Sequence, residues 1–392
     1  MQTASPPPSI LLLATMATKT EEATYFAARL TERGVQVDTL DISLQTDGIS
    51  LNGREKIAAM EASVQVAVQQ ITLRVGSGIN AVAGIGGGTG GEIILRALKA
   101  LPMTFPKLLI STLAFDPRIA VADNSIVLVP TLSDICGLNA TLREVLENAA
   151  AMTAGLCTMQ RQSVSCVETP SVGITSLGVT EKAVLPILDV ARARGHETTV
   201  FHANGYGGAA FARFADRGAF HTIIDLTPHE MTRLLVAGAH VDMPNRFIAA
   251  PDLPRIVLPG GLNFVGLGEI GLVPQRFLER PHYEHSGLFT HAKLLPDEME
   301  RVATQLATDL NACTGLRTMI VPMGGFSSQD RPGGMIEDCA LRGVFLESVR
   351  ANLSDDVTLI VLDDHLFDPK VTAEVARSFD CLNTQRQDHH NA

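Results

Sequence analysis

Residues 81–98 read AVAGIGGGTGGEIILRAL, an apolar run that gives way to glycine and resumes as an amphipathic helix. A buried strand, a glycine turn and a helix in succession form the unit from which parallel α/β sheets are built. Gly86, Gly87, Gly88, Thr89, Gly90 and Gly91 occupy the turn. Without β-carbons, successive amides can converge on one point, and the following helix adds unpaired N–H groups and the positive end of its dipole. Such a turn suits a phosphate or a carboxylate. Gly86, Gly88 and Gly91 fit G-x-G-x-x-G, but this is not the chain's first strand-to-helix turn and no acid lies about 20 residues on, so the dinucleotide fingerprint is incomplete. No Lys follows the last glycine, so Walker A fails as well. The competing explanation is a tight turn that needs positive φ, and so long a run of small residues exceeds that need.

Outward from this unit the alternation continues. Apolar, β-rich runs at 9–14, 35–41, 80–85, 107–113 and 125–129 predict strands; three-and-four spacing at 21–33, 54–75, 92–101 and 141–155 predicts helices. The first half therefore reads as a doubly wound sheet. The polar stretch CTMQRQSVSCVETPS (157–171) lacks periodicity and places a domain boundary there, giving domains 1–165 and 166–392. Alternation then begins again, with strands predicted at 171–176, 198–202, 221–226, 255–258, 317–321 and 358–362. Helices are predicted at 181–194, 209–217, 229–238, 296–313, 337–351 and 371–378, making a second α/β domain.

The 392 residues are 46% hydrophobic and 19% charged, the composition of a folded globular chain. A net charge of −11 disfavours generic attraction to nucleic acid or an anionic membrane, while leaving room for a local anion site. No apolar run approaches the roughly 20 residues of a membrane helix. The cysteines lack C-x-x-C spacing and the start lacks the basic region of a secretory signal, so a reducing cytoplasm is expected.

Other strand ends carry polar groups. Thr15, Thr18 and Lys19 follow the first strand, where Thr18 reads either as a helix cap or, with Lys19, as a holder of phosphate oxygens. FHANGYGG (201–208) repeats the glycine-turn inference with Gly205, Gly207 and Gly208, and sets His202 beside it as a donor or proton shuttle. In IIDLTPHE (223–230), Thr227 and Glu230 match a capping box, which leaves Asp225 as the stronger candidate base. Gly260, Gly261 and Asn263 form another turn, followed by Tyr283, Glu284, His285 and His291. No H-E-x-x-H motif is present, so no metal site is expected. PMGGFSSQDRPGG (322–334) reads as a mobile loop at a site mouth or as a surface excursion. G-x-S-x-G is absent, so serine nucleophile chemistry is unsupported.

Taken in order, ATMATKTEE, GIGGGTGG, LPMTFPKLLIST, PTLSDICGLN, GITSLGVT, FHANGYGG, IIDLTPHE and LPGGLNFVGLG resemble the family containing the ATP-binding domain of the tomato mosaic virus resistance protein. The resemblance runs from about residue 9 to about residue 378. It implies two Rossmann-like domains with largely parallel sheets and an interdomain cleft, ATP with Mg²⁺ as the cofactor, and a homodimer. In the first half it carries over Thr15, Thr18, Lys19, the glycine turn, Ser111, Thr112, Asp134 and Asn139. In the second it carries Gly178, His202, Gly205, Gly207, Gly208, Asp225, Glu230, Gly260, Gly261 and His285. This chain departs from the family where Ala17 replaces the Asp of T-x-D-T-K, where AFDPRIAVADN follows Thr112, and where His365, Leu366, Phe367 and Asp368 replace His-Ile-Asn-Asp.

The expected function is binding of a small phosphorylated or carboxylated ligand, ATP among the candidates, in the cleft between the two domains. His202, Asp225, Glu230 and His285 would then be acid–base groups of a metabolic enzyme. The alternative is a nucleotide-responsive regulatory or interaction module without catalysis.

Overall fold

Along Ser9–Ala14 (β1) every second side chain serves a different core: Ile10, Leu12 and Ala14 face one, Leu11 and Leu13 the other. A strand buried on both faces needs helices on both sides, and the next elements supply them: Met16–Glu32 (α1), Gln36–Asp41 (β2), Gly53–Gly76 (α2), Ala81–Gly86 (β3), Gly88–Lys99 (α3), Lys107–Ser111 (β4), Val127–Pro130 (β5) and Ala140–Thr158 (α4). The strands make a parallel sheet ordered β2-β1-β3-β4-β5. Phe26 and Leu30 of α1 join Leu142 and Leu146 of α4 on one face; Val64 and Ile71 of α2 join Ile93 and Leu98 of α3 on the other.

This computed structural model describes residues 6–44, 50–114, 116, 121, 124–158, 170–238 and 241–390. The chain divides into two compact units, Met1–Val164 and Ser165–Ala392. The stretch expected to hold the boundary lies largely at 159–169, outside the described residues, as does most of AFDPRIAVADN.

The second unit runs Ser171–Ser176 (β6), Glu181–Ala193 (α5), Glu197–His202 (β7), Tyr206–Asp216 (α6), Thr222–Asp225 (β8), Glu230–Leu235 (α7), Arg255–Val257 (β9), Phe264–Leu267 (β10), Gln275–Leu278 (α8), His282–Ser286 (β11), Phe289–Lys293 (β12), Pro296–Asn311 (α9), Arg317–Pro322 (β13), Cys339–Asn352 (α10), Thr358–Leu362 (β14) and Pro369–His390 (α11). Six of its strands form a parallel sheet ordered β14-β13-β9-β8-β6-β7. Both units are thus Rossmann-like α/β folds with parallel sheets. The sequence reading missed the antiparallel sheet β10-β12-β11. Its strands are short, and one face presents Tyr283 and His291 where an alternation rule looks for apolar residues.

Two helices start four or five residues earlier than expected. α3 begins at Gly88 rather than Glu92, because the Gly91 amide already donates to the Gly87 carbonyl at 2.6 Å. α1 begins at Met16 rather than Glu21, for a reason found outside the helix and described next.

Candidate functional site

In the first sheet β1 neighbours β2 on one side and β3 on the other, so the chain turns in opposite directions from β1 and β3 and opens a crevice at their carboxyl ends. The two helices entering that crevice are finished differently. At α1, the Met16 amide donates to Asp41 Oδ1 at 3.0 Å and the Ala17 amide to Ser43 Oγ at 2.9 Å. Asp41 also accepts from the Ser43 amide and hydroxyl. Burial pushes the Asp41 carboxyl up, and these hydrogen bonds outweigh it and hold the group below the usual range. The α1 amides are therefore committed. Thr15, not Thr18, is the residue preceding the helix, and Thr18 sits inside it with its hydroxyl 3.3 Å from that of Thr15.

At α3 the cap is Gly87, and no side chain caps the helix. Its first turn opens into a pocket of about 400 Å³ lined by Thr15, Thr18, Lys19, Lys56, Thr89 and the backbone of residues 87, 88 and 90, with Ala17, Ser43, Leu44 and Ile93 completing the wall. Lys19 departs from helical geometry (φ −130°, ψ 24°), and its ammonium donates to the Ile135 carbonyl. Lys56 and Ser43 are lining residues the sequence reading missed. The capping box of Asn52 and Glu55, which fixes the start of α2 beside Lys56, was the available signal.

None of the glycines at 86, 87, 88, 90 and 91 adopts positive φ, so a strained turn does not account for them. Close approach accounts for two. A Cβ on Gly86 would lie 2.5 Å from the Gly90 carbonyl carbon and the Gly91 nitrogen, and one on Gly90 would lie 3.0 Å from Thr15 Cγ2. Gly87 meets nothing within 4 Å and Gly88 only Ala114 Cβ at 3.6 Å. Packing leaves these two glycines unexplained, and both line the pocket. The other first-half candidates serve their own loops. The buried Ser111 lies in register with Gly86 and accepts from the Leu113 amide, with the half-buried Thr112 beside it. Asp134 accepts from Ile135, and Asn139 Oδ1 accepts from the Leu142 amide at 2.9 Å in the first turn of α4.

The second glycine turn is not an open cradle like the first. The Gly205 amide donates to Glu230 Oε1 at 3.1 Å and the Gly207 amide to Asn204 Oδ1 at 3.1 Å. A Cβ on Gly207 would strike the His202 carbonyl, and one on Gly208 the Glu230 carboxylate. These glycines serve close packing, and φ +96° at Gly205 adds a backbone requirement. The expected capping box of Thr227 and Glu230 does not form: the Thr227 hydroxyl lies 2.8 Å from that of Thr180, and Glu230 turns inward. There Arg246 binds Asp225 through two bonds of 2.7 and 3.0 Å and reaches Glu230 Oε2 at 3.0 Å, with its guanidinium between the rings of Phe211 and Phe247. Burial opposes the Arg246 charge, and the two carboxylates outweigh it. Burial pushes the Glu230 carboxyl up against the pull of Arg246. The carboxylate expected to act as a base is thus the counterion of an arginine that no local motif announced.

On the small sheet, rings stack from the interior to the surface: His229, Phe264, His291 and His285 follow one another with centroids 4.4, 4.2 and 4.7 Å apart. His229 donates from Nδ1 to the Gly261 carbonyl, and the Tyr283 hydroxyl lies 2.8 Å from His291 Nδ1. Burial pushes His229 and His291 down to about 3, so both are neutral imidazoles. His285 ends the stack in an exposed position, and a Cβ on Gly178 would sit 4.0 Å from its Nε2. His202 is exposed at the end of β7; partial burial first, and Arg233 second, hold it below its ordinary value. Gly260 passes against the Leu226 carbonyl, and Gly261 takes φ +73°. The Asn263 carboxamide is 1% exposed, with no partner for either atom among the described residues. Residues 322–334 lie only partly at the surface: Arg331, Pro332 and Gly333 are exposed, while Ser327 and Asp330 are buried and Asp330 pairs with Arg342. Among the described residues no group of three or more His, Cys, Asp or Glu could hold a metal, and no helix is long and apolar enough to cross a membrane.

Models of the N-terminal and C-terminal domains of an uncharacterised protein family, UPF0261, match residues 45–162 and 169–382. A UPF0261 protein of Mesorhizobium japonicum is 32% identical over 399 residues, covering 95% of this chain and 98% of the relative, and one of Rhizobium meliloti is 30% identical over 401 residues, covering 95% and 99%. The ToMV resistance protein Tm-1 of Solanum lycopersicum is 30% identical over 259 residues, 64% of this chain and 34% of the tomato protein. Matched end to end by the two bacterial relatives and in both units by the family's models, the chain belongs to the UPF0261 family.

Proposed function

We propose that the N-terminal unit binds a small phosphorylated or carboxylated ligand at the carboxyl edge of its sheet. The observation that carries this reading is the contrast between the two helices of the crevice: α1 is closed by Asp41 and Ser43, while α3 is uncapped and opens into the 400 Å³ pocket with Lys19 and Lys56 on its wall. An uncapped helix start offers N–H donors and a positive dipole end, and two ammonium groups add charge where an anion would sit. The volume lies within the range of small-molecule sites.

ATP is one candidate, and its phosphates fit the amides and lysines. The described lining contributes hydroxyls and no carboxylate, with Ala17 at the position where the resembled family carries Asp. Mg²⁺ would therefore arrive on the ligand's own phosphate oxygens rather than on a protein cage. The same lining holds no imidazole, which favours holding over turnover by this unit and supports the regulatory alternative. Thermal-shift titration with ATP, tripolyphosphate, inorganic phosphate and small organic acids tests the proposal. A ligand at about 100 times its Kd adds about 2.7 kcal/mol of stability. Stabilisation by phosphate compounds that disappears in Gly87→Asp supports the site; identical stabilisation in that variant overturns it.

A further inference from the structure

Three helices of the first unit start beside the 400 Å³ pocket, and two of them carry a lysine that their own dipoles disfavour. Lys19 is the fourth residue of α1 and Lys56 the fourth residue of α2. The start of a helix is its positive end, where a carboxylate is stabilised and an ammonium is not. Both lysines line the pocket, together with the uncapped start of α3. Arg29, Arg33, Arg74 and Arg96 of the same unit each pair with a carboxylate, whereas neither Lys19 nor Lys56 forms an ion pair among the described residues. The acids of the adjoining caps are engaged elsewhere: Asp41 accepts from the Met16 amide and from Ser43, Glu55 accepts from the Asn52 amide, and neither lines the pocket. In a chain of net charge −11, two unpaired ammoniums and an open helix start on one wall call for more than one negative charge.

The two lysines are not equivalent. α1 packs on one face of the sheet through Phe26 and Leu30, and α2 on the other through Val64 and Ile71, so their ammoniums enter the crevice from opposite sides. Lys19 is held in place, since it leaves helical geometry and donates to the Ile135 carbonyl. Its helix starts against α3: a Cβ on Gly90 would lie 3.0 Å from Thr15 Cγ2. The exposed Lys56 ammonium has no hydrogen-bond partner among the described residues. Asn52 Oδ1 takes the Arg54 and Glu55 amides, so α2 offers the pocket this side chain rather than its backbone.

We propose that the pocket selects ligands carrying two linked phosphate groups, the first seated on the α3 amides beside Lys19 and the second gripped by Lys56. This rests on the anion-binding reading of the same pocket and adds the residue that tells a diphosphate from a single phosphate. An ammonium on a flexible four-carbon stem adjusts to the second group and forms charge-assisted bonds with its oxygens. A free diphosphate and a nucleoside diphosphate present the same chemistry.

Isothermal titration of the full-length protein with inorganic phosphate, pyrophosphate and ADP tests the clamp. Pyrophosphate should bind at least tenfold more tightly than phosphate. In Lys56→Gln that advantage should fall below threefold while phosphate affinity stays within threefold of the wild type, and Lys56→Arg should keep most of it. ADP binding tighter than pyrophosphate, with the same dependence on Lys56, supports the clamp on a nucleotide; equal or weaker ADP binding supports it on free diphosphate. Phosphate binding that is lost in Gly87→Asp, but with no advantage for pyrophosphate or with an advantage that Lys56→Gln retains, overturns the clamp and leaves the anion pocket standing. An equal loss for phosphate and pyrophosphate in Lys56→Gln makes Lys56 a general source of positive field and also overturns the clamp. Binding of none of the three ligands, or binding indifferent to Gly87→Asp, overturns clamp and pocket together.

Discussion

The Met16 amide donates to the Asp41 carboxylate at 3.0 Å, across 25 residues of sequence, and this bond closes the first helix of the crevice. With Ser43 on the Ala17 amide, it replaces the anion that a strand-to-helix turn in this position could otherwise bind. The neighbouring start of α3 has no such partner. Ligand and cap compete for the same donors, and the chain caps one helix and leaves the other open.

Asp41→Ala removes the acceptor from the Met16 amide and from the Ser43 amide and hydroxyl. Loss of a helix cap costs about 1–2 kcal/mol, and urea denaturation should show that loss in the midpoint without a change in slope. An unaltered midpoint would mean that water replaces the carboxylate fully.

The glycines of the first turn should separate by substitution. Gly86→Ala places a carbon 2.5 Å from the α3 backbone and should destabilise by about 1–3 kcal/mol as an overpacked site does. Gly87→Asp meets open space, supplies the missing cap and sets a negative charge at the helix start, worth about 0.3–1 kcal/mol. Stability should hold or rise in Gly87→Asp while anion affinity falls. Thermal shift without and with phosphate compounds reads both effects in one experiment.

Acid should weaken the second unit through its buried rings. His229 and His291 sit at about 3 in the folded chain, against an ordinary value near 6.5 in the unfolded one. Between those values the unfolded chain binds protons that the folded chain does not, so stability falls as pH drops. The slope is about 1.4 kcal/mol per pH unit for each ring. His291→Phe keeps a ring against Phe264 and removes one titrating group. Chemical denaturation from pH 6 to pH 4 should show a shallower decline for the variant, by about that amount per unit.

Arg246→Met leaves Asp225 and Glu230 buried without their cation. Breaking a buried pair in this way costs about 3–5 kcal/mol, and equilibrium unfolding should show it. Asp225→Asn with Glu230→Gln in the same chain removes the stranded charges and should recover part of the loss. No recovery would show that Arg246 acts mainly through its contact with Phe211 and Phe247.

The sequence by itself determined the architecture. The continuous apolar run of β1, the three-and-four spacing of Ile93, Ile94, Ala97 and Leu98, and glycines at strand ends are local patterns, and local patterns suffice for strands, helices and a parallel sheet. It also located the open turn, where packing does not require the glycines at 87 and 88. The small sheet was not legible, because its strands are short and pair Tyr283 with His291, polar rings where an alternation rule looks for apolar side chains. Tertiary structure alone decided which donors and charges were spoken for. Asp41 reaches Met16, Glu230 reaches Gly205 and Arg246 reaches Asp225 across 21 to 25 residues of chain. Two glycine turns that read alike thus end up opposite in kind, because an amide's availability depends on what the fold brings to it, and nothing in the amide's own neighbours along the chain encodes that.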